Sequence, residues 1–99
     1  MNGANELAES YALLGKKKEA MEIINAEWKT AYEYAAFYIS LPDVNAYRRD
    51  IYTQLYIMNE VVKVTEMVNK DLASKQLSIM RTIEDAYYTK GGQPVEFGE

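Results

Sequence analysis

The segment 15–42, GKKKEAMEIINAEWKTAYEYAAFYISLP, decides the fold class of this 99-residue chain. Between Gly15 and Pro42 there is no further glycine or proline, so no residue of the segment interrupts a helix. Its mainly apolar positions recur at a spacing of three and four residues, which predicts a helix over 17–40. The positions that share this period are Ala20, Ile23, Ile24, Glu27, Trp28, Ala31, Tyr34, Ala35 and Tyr38. Leu41 precedes the proline and is therefore pushed out of the helical region, which ends the helix.

Sparse punctuation by glycine and proline extends to the rest of the chain and is typical of an all-α protein. The predicted helices span about 3–14, 17–40, 43–69 and 71–90. Asn2 can cap the first helix and Gly15 can stop it, because asparagine accepts hydrogen bonds from free backbone N–H groups and glycine tolerates a left-handed backbone. Asp43 can cap the third helix, and Gly91 with Gly92 ends the fourth.

The boundary between the third and fourth helices leaves two alternatives. No glycine or proline occurs between Asp43 and Lys90. The break signal in this stretch is Asn69-Lys70-Asp71, where asparagine tolerates a left-handed cap and aspartate can begin a new helix. Two helices are the preferred interpretation. A single helix of about 45 residues would be ~68 Å long and would need a dimer or a domain partner to cover it.

The same periods predict which side chains are buried. The expected stripes are Ala4, Leu7, Ala8, Tyr11 and Leu14 on the first helix, Tyr47, Ile51, Leu55, Met58, Val62 and Thr65 on the third, and Leu72, Gln76, Ile79, Met80, Ile83 and Tyr87 on the fourth. We expect two antiparallel helical hairpins in a single domain over 1–92, followed by a flexible tail over 93–99.

Composition excludes several classes of function. Eleven basic and 15 acidic residues give a net charge of −4, which is unfavourable for binding nucleic acid. The absence of cysteine and histidine excludes disulfides, thiol nucleophiles and histidine bases. No apolar run approaches the ~18–20 residues of a membrane helix, and the first residues are too polar for a signal peptide. We expect a soluble fragment with no cofactor, no metal and no catalytic residue.

Two pairs of carboxylates one helical turn apart are candidates for acid–base or magnesium chemistry. The pairs are Glu6 with Glu9 and Glu19 with Glu22. Their neighbours are polar, so a solvated helix face is the preferred interpretation of both pairs. The run Lys16-Lys17-Lys18 could contact a lipid headgroup or an acidic partner, although a solvated turn between two helices is preferred.

Aromatic residues are concentrated over 28–56, in greater number than one helical stripe can bury. They are Trp28, Tyr32, Tyr34, Phe37, Tyr38, Tyr47, Tyr52 and Tyr56. Tyr32, Tyr52 and Tyr56 lie to the side of the predicted stripes. Such residues serve as core fillers, as interface residues at proteins or membranes, and as platforms for sugar rings. Core packing is the preferred interpretation, and Arg48 beside the rings could make a cation–π contact.

The first two predicted helices carry a large–small pair, an aromatic residue, a turn glycine, and then a small and a large residue. These positions are Leu7-Ala8, Tyr11, Gly15, Ala20 and Ile24. This order resembles a tetratricopeptide repeat, although Ala4 and Glu27 depart from its pattern. The resemblance implies that Ala8 and Ala20 lie where two helices cross closely. It also implies a concave face that meets a partner and is lined by Asn5, Glu9, Ala12 and Leu13.

A wider set of motifs covers about 85 residues. The motifs are ELAESY at 6–11, LGKKKEA at 14–20, YISL at 38–41, Ile51, LYIM at 55–58 and YY at 87–88. Their order resembles the C-terminal tail domain of an uncharacterised family of bacterial multi-pass membrane proteins. That family is grouped with protein O-mannosyltransferase-like, C-type glycosyltransferases. It usually has glycine at the turn between the third and fourth helices, where this sequence has Asn69 or Asp71.

The resemblance implies that this chain is a fragment of a larger protein in the bacterial inner membrane. It further implies that this domain is extracytoplasmic and that any residues for glycosyl transfer lie in the membrane part.

A non-catalytic helical interaction or scaffold module is the function that we expect. Its partner would be another protein or the parent's own membrane domain. The alternative is a stand-alone helical adaptor or homo-oligomerisation protein, in which a tyrosine patch closes a homodimer. An enzyme is least favoured, because the chain has no histidine, no cysteine, no phosphate loop and no nucleotide fingerprint. The candidate partner-binding residues are Asn5, Glu9, Leu13, Tyr32, Arg48, Tyr52 and Tyr56.

Overall fold

The protein is all-α, as predicted, with four α-helices and one short 3-10 helix in the part that the computed structural model describes, residues 3–94. In chain order the elements are α1 (Gly3–Leu13), α2 (Lys17–Ser40), the 3-10 helix (Val44–Tyr47), α3 (Arg48–Glu66) and α4 (Lys70–Thr89). No strand occurs within these residues. The predicted cap at Asn2 lies outside the described residues.

Glycine ends both α1 and α4 by the same backbone geometry. Gly15 has a φ of 76°, the Lys16 N–H donates to the Tyr11 carbonyl at 2.8 Å, and the Gly15 N–H donates to the Ala12 carbonyl at 3.1 Å. Gly91 has a φ of 88°, and the end of α4 has an equivalent pair of backbone hydrogen bonds. This is the Schellman motif, in which a left-handed residue lets the last free carbonyls find donors. The predicted stop at Gly15 is confirmed.

The start of α3 differs from the prediction. Asp43 accepts a hydrogen bond from the Asn45 N–H at 3.1 Å and thereby caps the 3-10 helix Val44–Tyr47. The α-helix begins afterwards, at Arg48. A short polar side chain that satisfies the N–H two residues on favours a tight turn, so Asp43 reverses the chain before the helix can start.

Asn69 separates α3 from α4, and the alternative of one long helix is wrong. Its backbone is extended, with a φ of −156°, and its side-chain oxygen accepts from the Leu72 N–H at 3.0 Å. Asn69 is thus the N-cap of α4 and not a left-handed C-cap, and Asp71 lies inside the helix. Asparagine suits this position because it satisfies an N–H that the helix leaves without a partner.

The core consists of two apolar clusters along α2 and α3. The first joins the later part of α2 to α4, the 3-10 helix and most of α3. The second joins α1 to the start of α2 and the end of α3. Ala20 therefore lies with Val64, whereas Ile39 lies with Ile51, so the two long helices run in opposite directions. Trp28 packs against both clusters and links them.

Small residues allow the helices to approach closely. Ala8, Ala20 and Ala35 are fully inaccessible to solvent. Helices that meet through alanine bring their backbones close together, so a larger side chain at these positions has no free space to enter.

Several side chains of the predicted buried stripes are exposed, and other buried residues lie outside those stripes. Leu7, Leu14, Tyr34 and Ile79 are exposed, whereas Val44 and Ala73 are buried outside the predicted stripes. The physical reason is clearest in α1, whose buried residues are Asn5 and Ala8. This helix packs on one side against α2 and α3, so apolar residues on its flanks meet no other described element.

Hydrogen bonds fasten the end of α4 to the end of α2 and to the 3-10 helix. The Asn45 side chain donates to the Gly91 carbonyl at 3.0 Å and accepts from the Gln93 N–H at 2.8 Å. The Lys90 ammonium donates to the Leu41 carbonyl at 2.9 Å and also to that of Ile39. Of the predicted tail, Gln93 is held in this way, and 95–99 lie outside the described residues.

Candidate partner-binding surfaces

The predicted partner-binding residues lie on three different parts of the molecule. Asn5, Glu9 and Leu13 are on α1, Tyr32 is on α2, and Arg48, Tyr52 and Tyr56 are on α3. The structure brings Asn5 and Glu9 together at one groove and gathers Tyr52 into a tyrosine cluster. Tyr32 and Tyr56 are exposed and make no ring contact within the part of the chain that the structure describes.

The α1–α3 groove, as we call it, is lined by Asn5, Glu6 and Glu9 from α1 and by Glu60, Lys63 and Val64 from α3. Its volume is about 90 Å³. The spacing in each helix explains the lining, because residues three and four apart share a helix face. Carboxylates outnumber the ammonium group three to one along this groove.

One ion pair lies at the edge of the α1–α3 groove. Lys63 Nζ stands 2.8 Å from Glu60 Oε2, and this hydrogen-bonded carboxylate raises the pKa of the Lys63 ammonium. Glu6 and Glu9 form no ion pair within residues 3–94. The negative charge of α1 at the groove therefore has no cation of its own.

Asn5 stands out among the polar residues of the α1–α3 groove because it is buried. Its exposed fraction is 9%, and it is the buried polar residue of α1. The side-chain amide makes no hydrogen bond within residues 3–94. The amide atoms reach solvent and keep hydrogen-bonding capacity for a partner at the groove.

Leu13 lies further along α1. It follows Asn5 by about two helical turns, with Glu9 halfway between them at the i+4 position, and its exposed fraction is 71%. A large apolar side chain this exposed gains little from the fold of its own chain.

Tyr52 is part of a tyrosine cluster between α3 and α4. Its ring packs edge to face against the Tyr87 ring, with the ring centroids 5.5 Å apart. Its hydroxyl group forms a hydrogen bond with the hydroxyl group of Tyr88. Tyr87 is fully buried and donates to the Gln93 carbonyl. Burial raises the pKa of both Tyr52 and Tyr87, and the neighbouring hydroxyl of Tyr88 adds to the rise. These rings hold two helices together.

Arg48 lies beside this tyrosine cluster at the start of α3. The Arg48 side chain is exposed. Its positive charge acts against the increase in the pKa of Tyr87. It is therefore close enough to the cluster to affect it electrostatically.

An aromatic surface on α2 lies outside the set of predicted partner residues. Tyr34 and Phe37 are exposed and, with Thr30 and Glu33, line an open groove of about 380 Å³. Behind them Tyr38 stacks on Tyr47 with ring centroids 5.4 Å apart. The signal was in the sequence, because positions 30, 34 and 37 share a helix face next to the core stripe.

The carboxylate pairs and the lysine run are exposed. Glu6, Glu9, Glu19 and Glu22 face solvent, as do the three lysines of the turn after α1. Among residues 3–94 there is no cluster of three or more acidic side chains that could hold a metal ion. None of the described helices has both the length and the apolar character needed to cross a membrane.

Comparisons of the chain with protein-family models, with curated proteins and with solved structures gave no match.

Proposed function

We propose that this chain is a non-catalytic helical interaction module. The observation that carries the proposal is the state of α1, which buries Asn5 and Ala8 and leaves Leu7 and Leu13 exposed, with Leu14 exposed directly after it. Monomeric proteins do expose single apolar side chains, but three exposed leucines within eight residues are an unusual concentration. A partner that covers α1 would gain their burial.

The pairing of α1 with α2 supports a tetratricopeptide-like hairpin in this proposal. Ala8 and Ala20 are both fully buried and share one cluster with Ile24, while Tyr11 packs beside them. Gly15 supplies the turn between the two helices. α3 and α4 would form the second hairpin, joined at Asn69. In such an arrangement the face of α1 toward α3 is the partner-binding side.

The parent protein is the second part of the proposal. The order of motifs from ELAESY to YY supports a C-terminal domain of a larger bacterial membrane protein that resembles C-type glycosyltransferases. The domain would then lie outside the cytoplasm and bind another protein or the parent's own membrane domain. Any glycosyl transfer would take place in the upstream part, on residues that this chain does not contain.

Cell fractionation with an antibody raised against this chain tests the parent. We expect a band in the membrane fraction with an apparent mass far above the 11.4 kDa of this chain. A band near that mass in the soluble fraction contradicts the membrane parent. It would leave the interaction module as a stand-alone adaptor.

Homo-oligomerisation is a second candidate, favoured by the exposure of Tyr34 and Phe37 on α2. Tyrosine and phenylalanine are enriched at the centres of interfaces. Sedimentation of the chain over a range of concentrations tests it. A dimer that becomes monomeric in Phe37→Lys but persists in the control Lys29→Ala supports an α2 interface, and a monomer at every concentration contradicts it.

A further inference from the structure

We propose that the α1–α3 groove binds a basic side chain, lysine or arginine, of a partner segment that also places an apolar residue against Leu13. The inference rests on the proposed interaction module and names the chemistry of its partner. It follows from four features of the groove: its charge, the Asn5 amide at its border, its size and its distance from an exposed leucine.

The charge of the α1–α3 groove selects a cation. Glu6, Glu9 and Glu60 line it, and Lys63 is already bonded to Glu60. The two carboxylates of α1 have no cationic partner within residues 3–94. A guanidinium or ammonium group carried by another chain would meet them, and charge complementarity of this kind gives an interface its specificity and speeds association. An acidic segment would be repelled.

Asn5 places an amide at the border of the α1–α3 groove. The residue is nine-tenths buried, and its side chain makes no hydrogen bond within residues 3–94. Its carbonyl oxygen can accept from a guanidinium or ammonium group, which has only donors to offer. An incoming basic head group would therefore find an acceptor at the border of the groove, and would also neutralise the adjacent carboxylates.

The size of the α1–α3 groove limits what enters it. A volume of about 90 Å³ corresponds to a few water molecules at ~30 Å³ each. This is room for the head group of one side chain and not for a folded element. The backbone of the partner must therefore pass over the groove and extend along α1.

Leu13 sets the second position of the partner. It follows Asn5 by eight residues, which is about 12 Å along a helix axis at ~1.5 Å per residue. An extended segment advances ~3.3 Å per residue, so about four residues span the distance. The partner segment is therefore predicted to carry a basic residue and, four positions away, an apolar residue.

Amide NMR spectra of the isotope-labelled chain test the proposal with two synthetic heptapeptides. The first carries one arginine and, four positions later, one leucine in a glycine–serine background. The second has glutamate in place of the arginine. We expect the arginine peptide to shift the amides of residues 5–13 and 60–64, to lose affinity as salt is added, and the glutamate peptide to shift none of them.

Matched charge removals identify the site. The double variant with Glu6→Gln and Glu9→Gln is expected to bind the arginine peptide about tenfold more weakly, because two surface ion pairs are lost. The control with Glu19→Gln and Glu22→Gln removes the same charge from exposed positions on α2. It is expected to bind the arginine peptide as tightly as the unsubstituted chain does. Equal weakening in both variants would mean that only net charge matters.

Three results overturn the inference: no shift at residues 5–13 and 60–64, equal shifts with the two peptides, or equal weakening in the two double variants. The fractionation experiment is independent of all three results. A large membrane-bound band together with no peptide binding at the α1–α3 groove would reject the basic partner and support the proposed parent. A small soluble band combined with specific arginine binding would do the reverse.

Discussion

Gln76 provides the sharpest test of the core. It lies on the buried face of α4 with an exposed fraction of 2%, and its side-chain carbonyl oxygen has no hydrogen-bond partner among residues 3–94. An unsatisfied buried carbonyl costs about 1–3 kcal/mol, because the group has given up water without replacing it. Methionine has nearly the same length and number of rotatable bonds but lacks that carbonyl. Gln76→Met should therefore stabilise the protein.

The expected gain is about 1 kcal/mol, the lower end of that range, since methionine also gives up the hydrogen-bonding capacity of the amide nitrogen. For a domain of this length, this corresponds to a rise in Tm of about 4–8 °C. Urea unfolding followed by circular dichroism would measure it as a higher midpoint with an unchanged slope.

Gln54→Met is the matched control for this prediction. Gln54 lies on α3 and is half-buried, so its amide reaches water and the same substitution should change the free energy of unfolding by less than about 0.5 kcal/mol. A Gln76 variant that is no more stable than the Gln54 variant would refute the reasoning, because it would show that the carbonyl costs nothing where it is.

Further predictions concern packing and titration. Ala20→Leu should destabilise the protein by about 1–3 kcal/mol in urea melts through overpacking at a position with no exposed surface; a neutral result would contradict the close crossing of α1 and α2. Gly92→Ala should lower the melting temperature, because a Cβ there would stand 2.5 Å from the Tyr87 ring, whereas Gly3→Ala, with no neighbour within 4 Å, should not. Stability should fall as pH rises above 10.0, the ordinary pKa of tyrosine, because the raised pKa values of Tyr52 and Tyr87 keep protons on the folded state that the unfolded chain releases. Tyr52→Phe should reduce the stability lost at alkaline pH. An unchanged pH profile of stability would show that the hydrogen bond between Tyr52 and Tyr88 does not contribute to that loss.

Helix ends were largely predictable from the sequence because they are decided by one or two residues. Gly15 adopts the left-handed backbone that a C-cap requires, and Pro42 excludes the helix before it. The predicted start of the third helix at Asp43 was wrong for an equally local reason. It is a cap, but the sequence does not distinguish a cap of a 3-10 turn from a cap of an α-helix, since both use a side-chain oxygen and a nearby N–H.

Burial on α1 was not predictable because it depends on how many neighbours the helix has. The apolar period placed Leu7 and Leu14 with Ala8 on one stripe, yet Ala8 alone of the three is buried. A short helix at the edge of a bundle meets other elements over a narrow strip, so a wide apolar stripe exceeds what can be covered. The surplus is what makes α1 a candidate for partner binding.

The α1–α3 groove was half predictable. Asn5 and Glu9 share a face of one helix, and this follows from their spacing. Glu60 and Lys63 are more than fifty positions away, and only the fold brings them to the same place. Glu60 and Lys63 are three residues apart on one helix, so their pairing follows from spacing, and that pairing decides which carboxylates of the groove lack a cation.

The same weak anchoring of α1 leads to a last prediction about dynamics. Isolated helices shorter than ~12–15 residues are marginal in water, and α1 has eleven residues, of which two are buried. α3 buries seven of its nineteen. Backbone amides of α1 should therefore exchange with solvent faster than those of α3, through local opening. A partner that binds only the docked helix stabilises it in proportion to the logarithm of its concentration.

Amide exchange with and without the arginine peptide measures both effects. We expect faster exchange across α1 than across α3 in the free chain, and protection of α1 that rises with the peptide concentration and spares α4. Residues at the end of α4, fastened by Asn45 and Lys90, serve as the internal reference. Equal protection of α1 and α3 in the free chain would mean that Ala8 and Asn5 anchor the helix fully. The exposed leucines would then lie on a surface that gains no order from a partner.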